Sequence, residues 1–156
     1  MLLQDILKAK GSVVYSIGPD ETVGNAVREL VLRRVGALLV CQKDEKGFDR
    51  PLGILSERDL LLAHAEEHDP GGNTAAGKCP LMSRKVAELM TTDVIVVAPG
   101  DTVEQTMGLM TTKRIRHLPV VSEGRVVGIV SIGDIVKAQL DSLAVENRFM
   151  KDYIRG

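Results

Sequence analysis

The sequence predicts a mixed α+β fold built from two copies of one β-α-β-β-α unit. Of the 156 residues, 44% are hydrophobic and 26% are charged, which is the composition of an ordinary folded globular protein. Only 3% are aromatic and none is Trp, so an aliphatic core is expected. The order strand, helix, strand, strand, helix can be followed twice along the chain, and this repetition is the main ground for the predicted class.

The repetition is visible when the sequence is aligned with itself. In the first part of each copy, identical residues coincide at a constant offset: Pro19, Thr22, Val23, Arg34, Leu38 and Val40 fall on Pro99, Thr102, Val103, Arg114, Leu118 and Val120. In the second part they coincide at a slightly smaller offset: Gly53, Ile54, Ser56, Asp59 and Ala63 fall on Gly128, Ile129, Ser131, Asp134 and Ala138. The offset changes in a predicted turn, which is longer in the first copy, and a duplicated fold tolerates a change of length there.

Hydrophobic periodicity predicts the elements of the first copy. Apolar residues at Val23, Ala26, Val27 and Leu30 follow the i, i+3, i+4, i+7 spacing of an amphipathic helix. The expected order is a helix over 1–10, a strand over 13–17, a helix from 23, strands over 35–41 and 51–55, and a helix from 56 to about 67.

The second copy is predicted in the same way. Residues 101–104 (DTVE) are a helix-capping signature. The expected order is a strand over 94–97, a helix from 103, strands over 118–121 and 126–130 joined by a hairpin turn, a helix from 131, and a further charged helix over 142–155. The predicted domains are therefore a first repeat with its N-terminal helix (1–68), a connector (69–82), a second repeat (83–141) and a C-terminal helix (142–156).

Charge and cysteine content exclude several classes of function. The formal net charge is −1, so no attraction to nucleic acid or to an anionic membrane is expected. No apolar run approaches the roughly 20 residues of a membrane span, and the N-terminus lacks the apolar core of a secretory signal. The two cysteines, Cys41 and Cys79, do not make a disulfide framework. We expect a reduced, cytoplasmic protein in which Cys41 is a small buried hydrophobe.

A serine and an aspartate three residues apart stand where a strand turns into a helix in each copy. These pairs are Ser56 with Asp59 and Ser131 with Asp134. A helix N-terminus offers unpaired backbone N–H groups, so a hydroxyl and a carboxylate beside it suit a ligand that carries a phosphate and a sugar. The same spacing is also that of a capping box, in which the pair only stabilises the helix. A cap can also serve a ligand, so both interpretations stay open.

The element order resembles the cystathionine-β-synthase (CBS) domain family. The resemblance rests on residues 118–121 (LPVV), the short hairpin and residues 128–134 (GIVSIGD), and it extends over nearly all of residues 13–140. Two copies in one chain resemble a CBS pair, or Bateman module. This implies two repeats packed sheet to sheet about a pseudo-twofold axis, with clefts between them that commonly bind adenosine nucleotides.

The resemblance also implies roles for individual residues. The aspartates would accept hydrogen bonds from ribose hydroxyls, and the serines would meet the phosphate. Arg116 is the main phosphate candidate and its neighbour His117 is the weaker one. The alternative interpretation of the two is a solvated charge cluster at a strand end. The first copy carries Gly36 and Ala37 in their place, so the two sites are expected to be unequal.

The strands that open the two copies would supply the wall for the base. At the family positions these are residues 12–15 and 92–95, of which the following are the candidates: Ser12, Tyr15, Thr92 and Val94. Backbone groups can read an adenine edge while apolar side chains hold the ring. Most of these residues are more simply explained as part of the core.

The predicted function is that of a regulatory module without catalysis. AMP is the first choice of ligand, with ADP, ATP, NAD(H) and S-adenosylmethionine as the other candidates; no cofactor is required and no metal is expected. A homodimer and an unidentified regulated protein are the expected partners, and neither nucleic acid nor membrane is. The alternatives are a ligand-free interaction or scaffold protein and a nucleotide-hydrolysing enzyme.

Two further motifs bear on these alternatives. Residues 72–79 (GNTAAGKC) nearly match the phosphate-binding loop G-x-x-x-x-G-K-[ST], but Cys79 replaces the hydroxyl and no strand precedes the loop. We therefore expect a flexible connector there. His64 and His68 are four residues apart and could hold a metal only with a third ligand such as Cys79. Exposed residues at a helix end are the simpler interpretation.

Overall fold

Helices and short strands alternate along the chain, and the mixed α+β prediction is confirmed. The structure is a computed structural model, which describes residues 1–11, 13–67 and 80–155. The elements are α1 Leu3–Lys10, β1 Ser16–Ile17, α2 Val23–Arg33, β2 Ala37–Lys43, β3 Asp49–Ser56, α3 Glu57–Glu67, a 3₁₀ turn Leu81–Ser83, α4 Val86–Leu89, α5 Val103–Lys113, β4 His117–Ser122, β5 Arg125–Ser131 and α6 Ile132–Arg155.

The chain divides into two units, and each contains the body of one copy. The first-copy unit consists of Val14–Val94 with Gly124–Val126, and the second-copy unit consists of Met1–Val13, Ile95–Glu123 and Val127–Gly156. Each unit also holds the short helix that precedes the other copy, since α4 lies in the first-copy unit and α1 in the second-copy unit. The N-terminal helix therefore packs with the second copy, although it precedes the first copy in the sequence.

Equivalent backbone hydrogen bonds hold these helices in place. In the first-copy unit, the N–H of Val86 in α4 donates to the carbonyl of Glu21 at 2.8 Å. In the second-copy unit, the N–H of Leu3 in α1 donates to the carbonyl of Asp101 at 3.0 Å. Both acceptors immediately precede the first helix of their copy, α2 or α5, so the two units are built alike.

The first-copy unit has a three-stranded sheet in the order β1-β2-β3, with β1 parallel and β3 antiparallel to β2. Its core is aliphatic, as predicted, and includes Leu38, Val40 and Leu55 on the strands. Cys41 is buried without a disulfide partner, which confirms its prediction. Burial, with a smaller contribution from the charge of Asp49, raises the pKa of the Cys41 thiol to about 11, so it stays protonated at neutral pH.

Strands β4 and β5 pair as a hairpin, and all of it except Gly124–Val126 belongs to the second-copy unit. Glu123 and Gly124 both have positive φ, at 53° and 74°, which is the geometry of a two-residue type I′ turn. The predicted hairpin is therefore confirmed. Leu118 and Val130 on the two strands are fully buried beside Ile135 of α6.

The strands predicted to open each copy are the main error of the prediction. Residues 94–97 are all described, and among them only Val97 pairs with another strand, through a single bridge to Val120. The N–H of Val94 donates to the carbonyl of Thr92 at 2.8 Å, and this tight turn bends the backbone away from an extended path. In the first copy, the strand predicted over 13–17 is reduced to Ser16–Ile17. Both shortened strands begin close to where the chain passes from one unit to the other.

The helix expected over 142–155 is not separate. Helix α6 runs without a break from Ile132 to Arg155, because residues 134–155 contain neither Gly nor Pro to interrupt it. Among the described residues, no helix is both long enough and apolar enough to cross a membrane.

The duplicated glycines allow a close approach within each unit. A Cβ atom at Gly53 would lie 2.7 Å from the carbonyl oxygen of Thr91, and a Cβ atom at Gly128 would lie 2.6 Å from Cδ2 of Leu7. Real Cβ atoms do not come this close to a neighbour. Gly128 therefore lets α1 pack directly on β5, and Gly53 lets the chain that follows α4 pack directly on β3.

Candidate functional site

The serine–aspartate pair of the second copy caps helix α6. Ser131 ends β5, and the helix begins at the next residue. The N–H of Ser131 donates to Oδ2 of Asp134 at 2.8 Å, and the N–H of Asp134 donates to Oγ of Ser131 at 3.2 Å. These reciprocal bonds are a capping box, so the capping interpretation is confirmed for this copy.

The pair of the first copy caps α3 in the same way. The N–H of Ser56 donates to Oδ2 of Asp59 at 2.9 Å, and the hydroxyl of Ser56 donates to the same oxygen at 3.1 Å. The return bond from the N–H of Asp59 to Oγ of Ser56 is longer, at 3.4 Å. Capping thus accounts for the local geometry of both pairs.

Lys10 contacts the aspartate of the second copy. It is the last residue of α1, and its Nζ donates to Oδ2 of Asp134 at 2.6 Å and to the carbonyl of Ile129 at 2.8 Å. The side chains are only partly accessible, at 34% for Lys10 and 24% for Asp134. The ammonium group of Lys10 therefore bridges the carboxylate of Asp134 and the backbone of β5, the strand that precedes α6.

This contact favours the charged form of Asp134. Partial burial raises its pKa, but the hydrogen bonds from the Lys10 side chain and the Ser131 backbone, with the charge of Lys10, outweigh burial and hold the pKa of Asp134 below its ordinary value. Within the described part of the chain, Oδ1 of Asp134 accepts no hydrogen bond. Among the described residues, nothing therefore donates to Oδ1 of this ionised carboxylate.

The aspartate of the first copy has a neutral neighbour instead. The hydroxyl of Thr91, which follows α4, donates to Oδ1 of Asp59 at 3.2 Å. Both oxygens of Asp59 therefore accept hydrogen bonds, Oδ2 from Ser56 and Oδ1 from Thr91. The two copies carry the same motif but give its carboxylate different surroundings.

Arg116 lies beside the cap of the second copy. Its carbonyl accepts a hydrogen bond from the N–H of Ile132, the residue after Ser131, at 2.8 Å. The arginine is exposed and forms no ion pair with any described residue. His117 is half-buried at the first position of β4. The structure therefore brings Arg116 into the same unit and the same junction as Ser131 and Asp134.

The matching position of the first copy has no cation. There the N–H of Glu57 donates to the carbonyl of Gly36 at 3.0 Å, which is the equivalent of the bond between Ile132 and Arg116. Gly36 is thus the structural counterpart of Arg116, as the alignment of the two copies predicts. At this position the second copy therefore has a cationic side chain that the first copy lacks.

The candidates for the base-binding wall fall mostly in the first-copy unit. The half-buried Tyr15 has the guanidinium of Arg33 5.0 Å from its ring centre, and its carbonyl accepts from the N–H of Leu39. Thr92 is exposed and Val94 is half-buried, while Ser12 lies outside the described residues. Tyr15, Thr92 and Val94 share that unit with Ser56 and Asp59.

The other motifs are only partly covered by the structure. The loop 72–79 and His68 lie outside the described residues, and Cys79 lies there with them. His64 is described and belongs to α3. In the parts of the chain that are described, no group of three or more His, Cys, Asp or Glu side chains is arranged to hold a metal ion.

Comparisons with known proteins agree with this architecture. The family model of the CBS domain matches two segments, residues 4–66 and 86–141. The CBS domain-containing protein CBSX3, mitochondrial, of Arabidopsis thaliana is 32% identical over 160 residues, which cover 99% of this chain and 72% of that protein.

Solved structures show the same fold. The crystal structure of the CBS-domain containing protein ATU1752 from Agrobacterium tumefaciens superposes with a TM-score of 0.73 at 38% identity, covering 88% of this chain and 92% of that one. The CBS domain pair of protein MJ0100, in complex with 5′-methylthioadenosine and S-adenosyl-L-methionine, has a TM-score of 0.68 at 24% identity, covering 91% and 98%. The chain therefore belongs to the CBS domain family and carries two CBS repeats in tandem.

Proposed function

We propose that this protein is a regulatory module that binds an adenosine nucleotide, with AMP as the first choice. The observation that carries the proposal is the junction of β5 and α6, where an ionised carboxylate, a helix N-terminus and an exposed arginine lie together. One oxygen of this carboxylate accepts no hydrogen bond from a described residue. We infer that this junction of the second copy is the stronger of two unequal sites.

Each group at the junction suits one part of such a ligand. The carboxylate of Asp134 would accept hydrogen bonds from the two ribose hydroxyls, and bonds to a charged acceptor are roughly twice as strong as neutral ones. Lys10 favours the ionised form of this carboxylate and bonds to its Oδ2. Arg116 can make a bidentate contact with a phosphate, and the positive end of the α6 dipole favours the same charge.

The proposed role is regulation, without catalysis. Ligand binding would favour one conformation of the pair, and a regulated protein or a second copy would respond to that shift. The named relatives above are CBS-domain proteins, and MJ0100, which has the same fold, binds adenosyl compounds. We place the protein in the cytoplasm. The proposed domains are residues 1–68, 69–82, 83–141 and 142–156. The remaining proposed ligand contacts are Ser12, Tyr15, Thr92, Val94 and His117.

A thermal-shift titration tests the proposal. AMP, ADP, ATP, NADH and S-adenosylmethionine are added separately at millimolar concentration, with inorganic phosphate as the control. Binding at a hundredfold excess over Kd stabilises the folded state by about 2.7 kcal/mol, which is a readily measured rise in Tm. If no adenosyl ligand raises Tm above the phosphate control, the nucleotide-sensor proposal is wrong.

The role of Arg116 gives a sharper version of this experiment. The Arg116→Ala variant should weaken AMP binding about tenfold, because one bidentate phosphate contact is lost, while adenosine binding should change little. Isothermal titration calorimetry with AMP and adenosine measures both. Equal losses of affinity for AMP and adenosine would show that Arg116 does not contact the phosphate.

A ligand-free interaction protein is the second candidate, and the completeness of both caps favours it. The Ser56–Asp59 and Ser131–Asp134 bonds need no ligand to explain them. This candidate predicts that no nucleotide shifts Tm, and also that ATP stays intact on prolonged incubation. Product formation from ATP would instead support a nucleotide-hydrolysing enzyme.

A further inference from the structure

The distal part of α6, residues 143–155, packs against none of the residues that the structure describes. Ile135 and Ala138, near the start of the helix, are buried in the core of the second-copy unit, whereas residues 143–155 are all exposed. Helices shorter than about 12–15 residues are marginal in water unless an apolar face is packed. This segment nevertheless carries several large apolar side chains: Leu143, Val145, Phe149, Met150, Tyr153 and Ile154.

One line of residues along this helix has coiled-coil spacing. The line begins near the start of α6, and its members are separated alternately by four and three residues: Val136, Leu140, Leu143, Asn147, Met150 and Ile154. This is a heptad seam in which Leu140, Asn147 and Ile154 occupy a positions and the others occupy d positions. The leucines at 140 and 143 are 61% and 53% exposed, and the residues at 150 and 154 are 64% and 79% exposed. Apart from Asn147, the seam is therefore apolar, and no described residue covers it.

We propose that a second copy of this chain covers the seam, and that the two α6 helices pair in parallel and in register. The charges beside the seam select this occupant and this direction. Glu146 is at a g position and Lys151 is at the e position of the next heptad. In a parallel pair, a g residue faces the e residue five positions later on the other helix, so Glu146 would face Lys151 of the second copy, twice per dimer.

An antiparallel pair would lose this complementarity. It sets g positions against g positions and e against e, so Glu146 and Lys151 would no longer meet. Within one helix the two residues are five apart, which is not a spacing that brings side chains together. The charges are therefore explained by pairing between copies and not by contacts inside a single helix.

Asn147 supports the in-register arrangement. It is the one polar residue in the seam, and it is exposed in the single chain. An asparagine at a single a position fixes register and number of strands, because its amide can hydrogen-bond to the same amide opposite it. Any other register buries that amide against an apolar side chain, which is unfavourable. This proposal is independent of nucleotide binding and involves no residue of the junction.

Cysteine cross-linking of the full chain tests the pairing. Met150→Cys places a thiol at a d position, where the two copies of a parallel pair meet, and Asp152→Cys places it on the outer face of the same helix. Both variants are made with Cys79→Ser, and the buried Cys41 is retained. Under mild oxidation, Met150→Cys should form a covalent dimer at least about fivefold more efficiently than Asp152→Cys, because a and d residues face each other. Equal cross-linking, or none, would overturn the proposal.

A charge exchange in the Met150→Cys background tests the direction. Lys151→Glu should reduce the cross-link severalfold because it sets like charges against each other, and adding Glu146→Lys should restore it. A reduction without restoration would overturn the parallel pairing. Circular dichroism of each variant confirms that helix content is kept, and a wild-type chain that sediments as a monomer at every concentration tested would contradict the second copy as occupant.

Discussion

The same serine–aspartate cap occurs in both copies, but Asp134 contacts an ammonium group and Asp59 contacts a hydroxyl. Lys10 supplies the first contact and Thr91 supplies the second. Both residues come from the segments that precede a copy and pack on the other one, at the end of α1 and just after α4. The duplicated motif therefore preserves the helix cap, while the segments packed against it make the two carboxylates chemically different.

The largest difference between the copies should appear when the motif glycines are enlarged. In Gly53→Ala, the new Cβ atom would meet the backbone carbonyl of Thr91, which cannot move without shifting the chain. In Gly128→Ala it would meet the methyl groups of Leu7, which can rotate. Overpacking typically costs about 1–3 kcal/mol, so we expect a loss of about 3 kcal/mol for Gly53→Ala and about 1 kcal/mol for Gly128→Ala.

Urea unfolding of both variants, followed by circular dichroism, measures the two losses. Gly47→Ala is unsuitable as a reference because Gly47 has a φ of 84°; Gly100→Ala, which meets no neighbour within 4 Å, is the matched control. A greater loss for Gly128→Ala than for Gly53→Ala would contradict the packing described here.

Removing the ammonium group should have a smaller effect that depends on pH. Because the pKa of folded Asp134 lies below its ordinary value, its ionised form contributes stability above the unfolded pKa of about 3.9. That contribution is lost as the pH falls through the folded pKa. Lys10→Met should therefore raise the pKa of Asp134 and lower the free energy of unfolding by about 1 kcal/mol at neutral pH.

The loss caused by Lys10→Met should shrink in acid, where Asp134 is protonated in both proteins. Urea unfolding at neutral pH and below the folded pKa, together with carboxyl NMR titration of Asp134, measures these effects. Lys8→Met removes the same charge from the same helix and serves as the control. A loss that does not vary with pH would show that Lys10 acts by packing and not by charge.

The smallest effect is expected for the hydroxyl partner of the first copy. Thr91→Val removes the hydrogen bond to Asp59 while keeping the shape of the side chain. A long, exposed hydrogen bond from a hydroxyl group contributes little, so the free energy of unfolding should fall by about 0.5 kcal/mol. Thr92→Val is the control, and urea unfolding is again the measurement. A loss of stability as large as that caused by Lys10→Met would contradict the proposed difference between the contacts of Asp134 and Asp59.

Much of this architecture follows from the duplicated sequence pattern. The alignment of the two copies pairs Gly36 with Arg116, and the equivalent hydrogen bonds from Glu57 and Ile132 bear out that pairing. The caps and the type I′ turn at Glu123 and Gly124 could also be predicted, because capping and turn formation depend on residues close together in the sequence.

Long-range contacts could not be predicted in this way. Lys10 and Asp134 are 124 residues apart, and no local pattern marks the lysine as a partner of the carboxylate. The strand expected at residues 94–97 failed because the sequence supplies β propensity there, whereas strand formation also needs a neighbour to pair with. The single bridge of Val97 to Val120 is all that the described structure provides.

Calorimetric titration of AMP into wild type, Asp134→Asn and Asp59→Asn tests most directly whether the second copy holds the stronger site. Asparagine keeps the size and an acceptor oxygen for the cap but removes the negative charge. We predict that Asp134→Asn weakens AMP binding about tenfold, or about 1.4 kcal/mol, and that Asp59→Asn changes it less than about threefold. Equal losses in the two variants, or a greater loss in Asp59→Asn, would contradict the proposed inequality of the two copies.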